Sequence, residues 1–231
     1  MLHTRYQRAV AGALFTAGMT LSSAVFALTP PSTSYSFVGV TNTNAANVAT
    51  GVAALSMEVI DLGGSQVAFR FTNNSMSSLT DVYFDDGTLL EFASAPQYST
   101  GVDFSQYASP GNLPGGNTLS PSFTTTAGFS ADSNPPASPN GVTSGEWLTI
   151  TFTLQSMQTY DSVINALSLP NGGGVGDLRV GLHVQSFANG GSESFVNVPD
   201  GISNPVPEAD TYAMLLAGLG LVGFAARRKL S

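Results

Sequence analysis

Hydrophobic and polar positions alternate with a period of two along the middle of the chain. In Gln66–Asn73, Val67, Phe69 and Phe71 alternate with Ala68, Arg70 and Thr72. In Trp147–Leu154, Leu148, Ile150, Phe152 and Leu154 alternate with Thr149, Thr151 and Thr153. In Leu178–Phe187, Leu178, Val180, Leu182 and Val184 alternate with Arg179, Gly181, His183 and Gln185. This pattern predicts strands with one buried and one polar face. Shorter runs at Tyr35–Val40, Val52–Leu62, Thr80–Phe84, Thr88–Phe92, Phe123–Phe129 and Ser194–Val198 read as further strands. Turn pairs separate them: Gly63-Gly64, Asp86-Gly87, Asn140-Gly141, Asn171-Gly172 and Asn189-Gly190. Only Asp161–Leu169 has a helical pattern, with Asp161 at the N-cap position. The predicted fold class is all-β, an antiparallel sandwich of jelly-roll type. Pro110–Pro139 reads as a long strand-poor insert, and Gly172–Gly176 as a second flexible stretch.

Both ends break the alternation. Arg5 and Arg8 precede an uncharged, mostly apolar run from Ala9 to Phe26. Val25-Phe26-Ala27 has the small-x-small form of a signal-peptidase site, and Pro30 and Pro31 stop any helix soon after. Residues 1–27 are expected to be a signal peptide cut after Ala27, which exports Leu28 onward. At the other end, Thr211–Ala226 is uncharged throughout. A helix there spans about 24 Å, short of the roughly 30 Å hydrocarbon core. Arg227, Arg228 and Lys229 follow at once, and their stems can snorkel to the headgroups and mark the cytoplasmic side. The expected organisation is a signal peptide (1–27), an extracellular β-sandwich (28–202) and a tail (203–231) with a transmembrane helix over 211–226.

Val206-Pro207-Glu208, the apolar run and the basic cluster occur in that order at the C-terminus. In this the tail resembles the PEP-CTERM protein-sorting signal of Gram-negative bacteria. Pro207 and Glu208 match the first two motif positions; Ala209 stands where the family usually has a second proline. The resemblance implies that exosortase, a membrane-embedded cysteine transpeptidase, is the processing partner. It implies cleavage near Pro207-Glu208, with Arg227, Arg228 and Lys229 as the membrane stop. It also implies an inner-membrane intermediate and delivery of the body to the cell surface, often into an exopolysaccharide matrix or biofilm.

Composition narrows what the body can do. The chain has no cysteine, which excludes disulfides, thiolate metal sites and a cysteine nucleophile. Charged residues make up only 10%. Between Leu28 and Val206 two arginines and no lysine face thirteen acids, a net charge of −11. Such a body repels phosphate, so nucleic acid is not an expected partner. It attracts cations instead.

The candidate chemistry follows that charge. Asp81, Asp85, Asp86 and Glu91 fall together in LTDVYFDDGTLLEF, and Asp103 and Asp132 lie in nearby loops. Carboxylates at a turn beside free carbonyls are the donors calcium takes, so these are candidate calcium ligands. They do not fit the EF-hand spacing, and turn-forming hairpin aspartates are the plainer reading. No motif calls for any other cofactor. His183 is the only histidine of the mature body and reads as a solvated strand residue. No G-x-S-x-G elbow accompanies it. Glu58, Glu91, Glu146 and Glu193 could supply a glycosidase pair, but plain surface charge explains them as well. Tyr83, Phe84, Tyr98, Tyr107 and Trp147 could stack on sugar rings or pack the core. Asn73-Asn74-Ser75 fits a glycosylation sequon. The expectation is an exported, exosortase-sorted surface protein with a non-catalytic structural or adhesive body. A carbohydrate- or calcium-binding module, or a polysaccharide-processing enzyme, are the alternatives.

Overall fold

The structure, a computed structural model, describes residues 30–169 and 177–198. The expected signal peptide, the Gly172–Gly176 stretch and the tail with its 211–226 helix lie outside the described residues. Among those residues no helix is long and apolar enough to cross a membrane.

The chain runs β1 (Ser32–Tyr35), β2 (Phe37–Gly39), α1 (Ala45–Ala54), β3 (Leu55–Gly63), β4 (Gln66–Asn73), β5 (Ser78–Asp86), β6 (Leu90–Ala93) and β7 (Gln97–Tyr98). It continues through β8 (Phe104–Gln106), β9 (Ser130–Ser133), α2 (Ala137–Asn140), β10 (Trp147–Leu154), α3 (Tyr160–Leu167), β11 (Leu178–Gln185) and β12 (Glu193–Asn197). The first sheet has the order β1-β3-β4-β10-β6, with β7 also paired to β10. The second has the order β2-β12-β11-β5-β9-β8. All pairings between these strands are antiparallel.

The alternating residues bury as their pattern requires. Phe69, Phe71 and Phe152 of the first sheet meet Phe84 of the second edge-on, with ring centroids 5.1, 6.2 and 4.7 Å apart. Such pairs add about 0.5–1.5 kcal/mol each beyond their area burial. The two sheets therefore face each other across one aromatic core.

Several elements depart from the local pattern. Tyr35–Val40 is not one strand: the chain switches sheets at Ser36, so β1 edges the first sheet and β2 the second. The Ser36 carbonyl also accepts from the Val198 N–H at 2.9 Å, which ties the last described residue to this crossover. The first part of Val52–Leu62 is helix. The Asn44 side chain accepts from the N–H groups of Ala46 and Asn47, starting α1, and the strand begins only at Leu55. Gly51 lets that helix sit close, since a Cβ there would lie 2.1 Å from the Phe195 ring. Phe123–Phe129 forms no strand; β9 begins at Ser130. The N-cap of α3 is Thr159, which forms a capping box with Ser162, and Asp161 lies inside the first turn.

β5 is buried at Ser78–Asp85 on both of its faces. One face meets the first sheet. The other is covered by part of the expected insert, whose residues Leu113 and Phe123 pack with Tyr83 and Val196 in a second, smaller apolar cluster.

Candidate functional site

The outer face of the second sheet carries Asp81, Asp85 and Asp132 of the acids that the sequence singles out. Gly181 of β11 leaves the space that Leu113 and Phe123 occupy; a Cβ there would lie 2.8 Å from Leu113 and 3.1 Å from Phe123. Polar contacts then fasten the insert. Arg179 Nη1 donates to the Pro121 carbonyl at 2.8 Å, and Nη2 donates to the Ser122 carbonyl at 2.8 Å and to Asp85 Oδ2. The guanidinium lies 5.2 Å over the Phe123 ring. Asp85 Oδ2 also accepts from the Thr124 N–H at 3.2 Å. The Tyr83 hydroxyl donates to the Pro110 carbonyl at 3.1 Å. The Asp86 carboxylate accepts from the N–H groups of Leu89 and Leu90. Burial pushes Asp86 above the usual carboxylate range, with those two hydrogen bonds opposing and Asp85 adding to it.

Asp81 lies beside His183, with Nδ1 3.0 Å from Oδ2, and accepts from the Thr80 hydroxyl at 2.8 Å. Asp132 stands opposite Asp81 in the β5–β9 ladder, and its Oδ2 accepts from the Ser109 N–H at 3.3 Å. Burial and the neighbouring Asp81 carboxylate push Asp132 up to about 6. The Tyr83 hydroxyl is raised as well, first by burial and then by Asp81 and Asp132. His183 is therefore not the solvated residue that alternation suggests: its side chain is only 13% exposed and is paired with a carboxylate. Ser194 is its ladder partner in β12, so serine, histidine and aspartate share one cross-strand row. The Ser194 hydroxyl is buried and makes no hydrogen bond, so no nucleophile–base contact exists there.

The four candidate calcium ligands are thus drawn to different partners. Asp81 goes to His183, Asp85 to Arg179 and Asp86 to the chain after its turn, while Glu91 is exposed on β6. Asp103 lies apart from them, accepting from the Tyr98 hydroxyl and the Asn134 amide. Among the described residues no group of three or more His, Asp or Glu side chains is placed to hold a metal ion.

The glutamates are no better matched as a pair. Glu58 stands opposite Arg70 in the first sheet. Glu146 accepts from the Thr143 N–H and hydroxyl at 2.8 Å. Glu193 is buried at the start of α1, where its carboxylate accepts from the Thr41 and Thr43 hydroxyls and the Thr43 and Asn44 N–H groups. Burial alone would raise Glu193; those hydrogen bonds outweigh it and hold the carboxyl below its usual range. Asn73 of the sequon is fully buried and donates to the carbonyls of Ser77 and Val142, so its amide is not open to a glycan.

The outer face of the first sheet is different in kind. Trp147, Thr149, Thr151 and Thr153 stand half-exposed along β10, and Arg70 lies with its guanidinium 4.8 Å over the Trp147 ring. At the far end of β10 a cavity of about 200 Å³ opens between the β3–β4 turn and the start of α3.

Arg179 as a staple, and the Thr41–Thr43 cradle for Glu193, were not legible as such in the sequence. One signal pointed to the first: one of only two arginines in so acidic a body, set among its buried strands, needs a carboxylate partner.

Comparison with curated proteins and with solved structures gave no match. The tail did match: residues 205–229 carry the PEP-CTERM protein-sorting motif, which marks this as an exported protein that exosortase processes and sorts to the cell surface.

Proposed function

We propose that the described body is a non-catalytic structural or adhesive unit of the extracellular polysaccharide matrix, delivered there by its sorting tail. The observation that carries this reading is the tail itself, joined to a two-sheet body whose conspicuous polar groups hold the fold. Asp85 and Arg179 fasten the insert, Glu193 anchors the entry to α1, and the Ser194 hydroxyl next to His183 is sealed from solvent. Before cleavage, the 211–226 helix would hold the chain in the inner membrane with Arg227, Arg228 and Lys229 on the cytoplasmic side.

The test is intact mass and cell fraction of the native protein, with and without exosortase. A chain beginning at Leu28 and ending near Pro207, found outside the inner membrane only when exosortase is present, is the expected result. Replacing Pro207 and Glu208 by alanine should block processing and leave the rest of the fold unchanged. A chain that runs to Ser231 and stays in the inner membrane of both strains would overturn the proposal.

A further inference from the structure

The cavity between the β3–β4 turn and α3 is not part of the clasp that holds the insert. Its wall combines two kinds of surface. Leu154 and Tyr160 contribute apolar area; the Tyr160 ring packs against the core, and its hydroxyl is bonded to the Thr33 hydroxyl and the Val59 carbonyl. Asp61, Gln66, Gln158 and Thr159 bring a carboxylate, two amides and a hydroxyl. Asp61 Oδ1 accepts from the Gly63 N–H at 2.8 Å, which fixes the carboxylate at the rim. Gly63, Gly64 and Ser65 all take positive φ, so the turn curls tightly there.

Of the residues lining the cavity, Gln66 also belongs to the outer face of the first sheet. Gln66 is the ladder partner of Thr153, and both lie on the outer face of the first sheet. From Thr153 the hydroxyls of Thr151 and Thr149 follow at every second residue, and the row ends at Trp147 with Arg70 stacked on it. Six residues of strand separate the two ends, about 20 Å at the usual rise. Neighbouring strands add Ser56, whose hydroxyl is bonded to that of Thr72 at 2.7 Å, and Ser34 opposite Glu58.

Charge decides what could lie there. Arg70 and Glu58 are ladder partners on this face and cancel each other. Asp61 adds one carboxylate at the cavity, on a body whose net charge is already −11. A polyanion would be repelled. A chain of uncharged sugar rings would not be, since sugars present apolar C–H faces to an indole and hydroxyls to Thr, Gln and Asp side chains. A small apolar floor with a few oriented polar groups is the usual form of such a subsite.

We infer that the Gln66–Gln158 cavity and the β10 threonine row together bind an uncharged polysaccharide, with one sugar unit in the cavity and the following ones running toward Trp147. This rests on the reading that the body works in an extracellular polysaccharide matrix, and it names the face and the class of glycan.

The experiment uses the full-length protein in detergent, run by affinity electrophoresis through gels containing hydroxyethyl cellulose, dextran or galactomannan, with alginate as the anionic probe. At least one neutral glycan should retard the protein and alginate should not. Emission from Trp147, the only tryptophan, should change as the retarding glycan is added. Gln158→Ala and Thr151→Glu should each weaken binding at least tenfold with the melting temperature preserved. Should Thr151→Glu fail to fold, Gln158→Ala on the cavity rim supplies the same readout. Retardation by none of the neutral glycans, retardation by alginate alone, or full binding by a folded variant would overturn the inference. Cell fractionation separates the two failures: a surface-located protein that binds no neutral glycan defeats only this inference, whereas one kept in the inner membrane defeats the matrix reading itself.

Discussion

Asp81 and Asp132 stand opposite each other across the β5–β9 ladder, carboxyl beside carboxyl, on the face that the insert covers. Two ionised carboxyls at that separation repel, and burial adds to the cost. Asp132 accordingly holds its proton up to about 6. Its folded value lies above its unfolded one, so its contribution to stability is present at low pH and lost as pH rises through about 6. Asp86, also raised, acts in the same direction. The melting temperature of the body should fall between about pH 4 and pH 7 from these groups, and Asp132→Asn should reduce that slope. His183 and Tyr83 face the same pair, so the comparison is best made at fixed ionic strength. A slope identical in the variant would show that Asp132 is not the titrating group.

Glu193 carries the opposite sign. Its folded value is lowered, so its contribution is present above the usual glutamate range and lost as pH falls through the lowered value. Glu193→Gln removes an acceptor from donors at Thr41, Thr43 and Asn44, at a cost of about 1–3 kcal/mol. Urea unfolding at pH 7 measures it, and the gap between variant and wild type should narrow at pH 3.

Arg179→Ala should loosen the insert before anything else. It takes away the donors to Pro121, Ser122 and Asp85 and leaves a carboxylate that is largely buried. Removing one partner of such a pair costs about 3 kcal/mol. Limited proteolysis should then cut within residues 110–125 while the rest of the body stays intact. Arg179→Met combined with Asp85→Leu should recover much of the loss, because no charge is left without a partner.

Glycine at 51 and at 181 is required by space. A methyl at Gly51 would lie 2.1 Å from Phe195, a core ring, so Gly51→Ala must displace α1 and should cost about 1–3 kcal/mol. Gly181→Ala meets Leu113 at 2.8 Å, and Leu113 belongs to the insert. The expected outcome is a smaller loss of global stability and faster amide exchange in residues 107–129, read by hydrogen exchange.

The sorting of this chain is written in linear order. A Pro-Glu pair, an apolar run and a basic cluster are recognised as a sequence, and residues 205–229 match the sorting motif without reference to any fold. The strands at Gln66–Asn73, Trp147–Leu154 and Leu178–Gln185 were equally open, because a period of two over eight residues reflects only the pleat of one chain. Neighbours distant in sequence decided the rest. α1 runs to Ala54, three residues into the expected strand Val52–Leu62; Asn44 caps it and Phe195 fits beneath Gly51. Asp81, Asp85 and Asp86 lie close together in the chain and look like one cation site, yet each takes a different partner. His183 and Arg179 come from β11, 102 and 94 residues away, whereas the Asp86 carboxylate takes the N–H groups of Leu89 and Leu90 just past its own turn. Local spacing gives the direction of a side chain along its own strand; which carboxylate meets which cation is set by strand order, and only the folded sheets supply that.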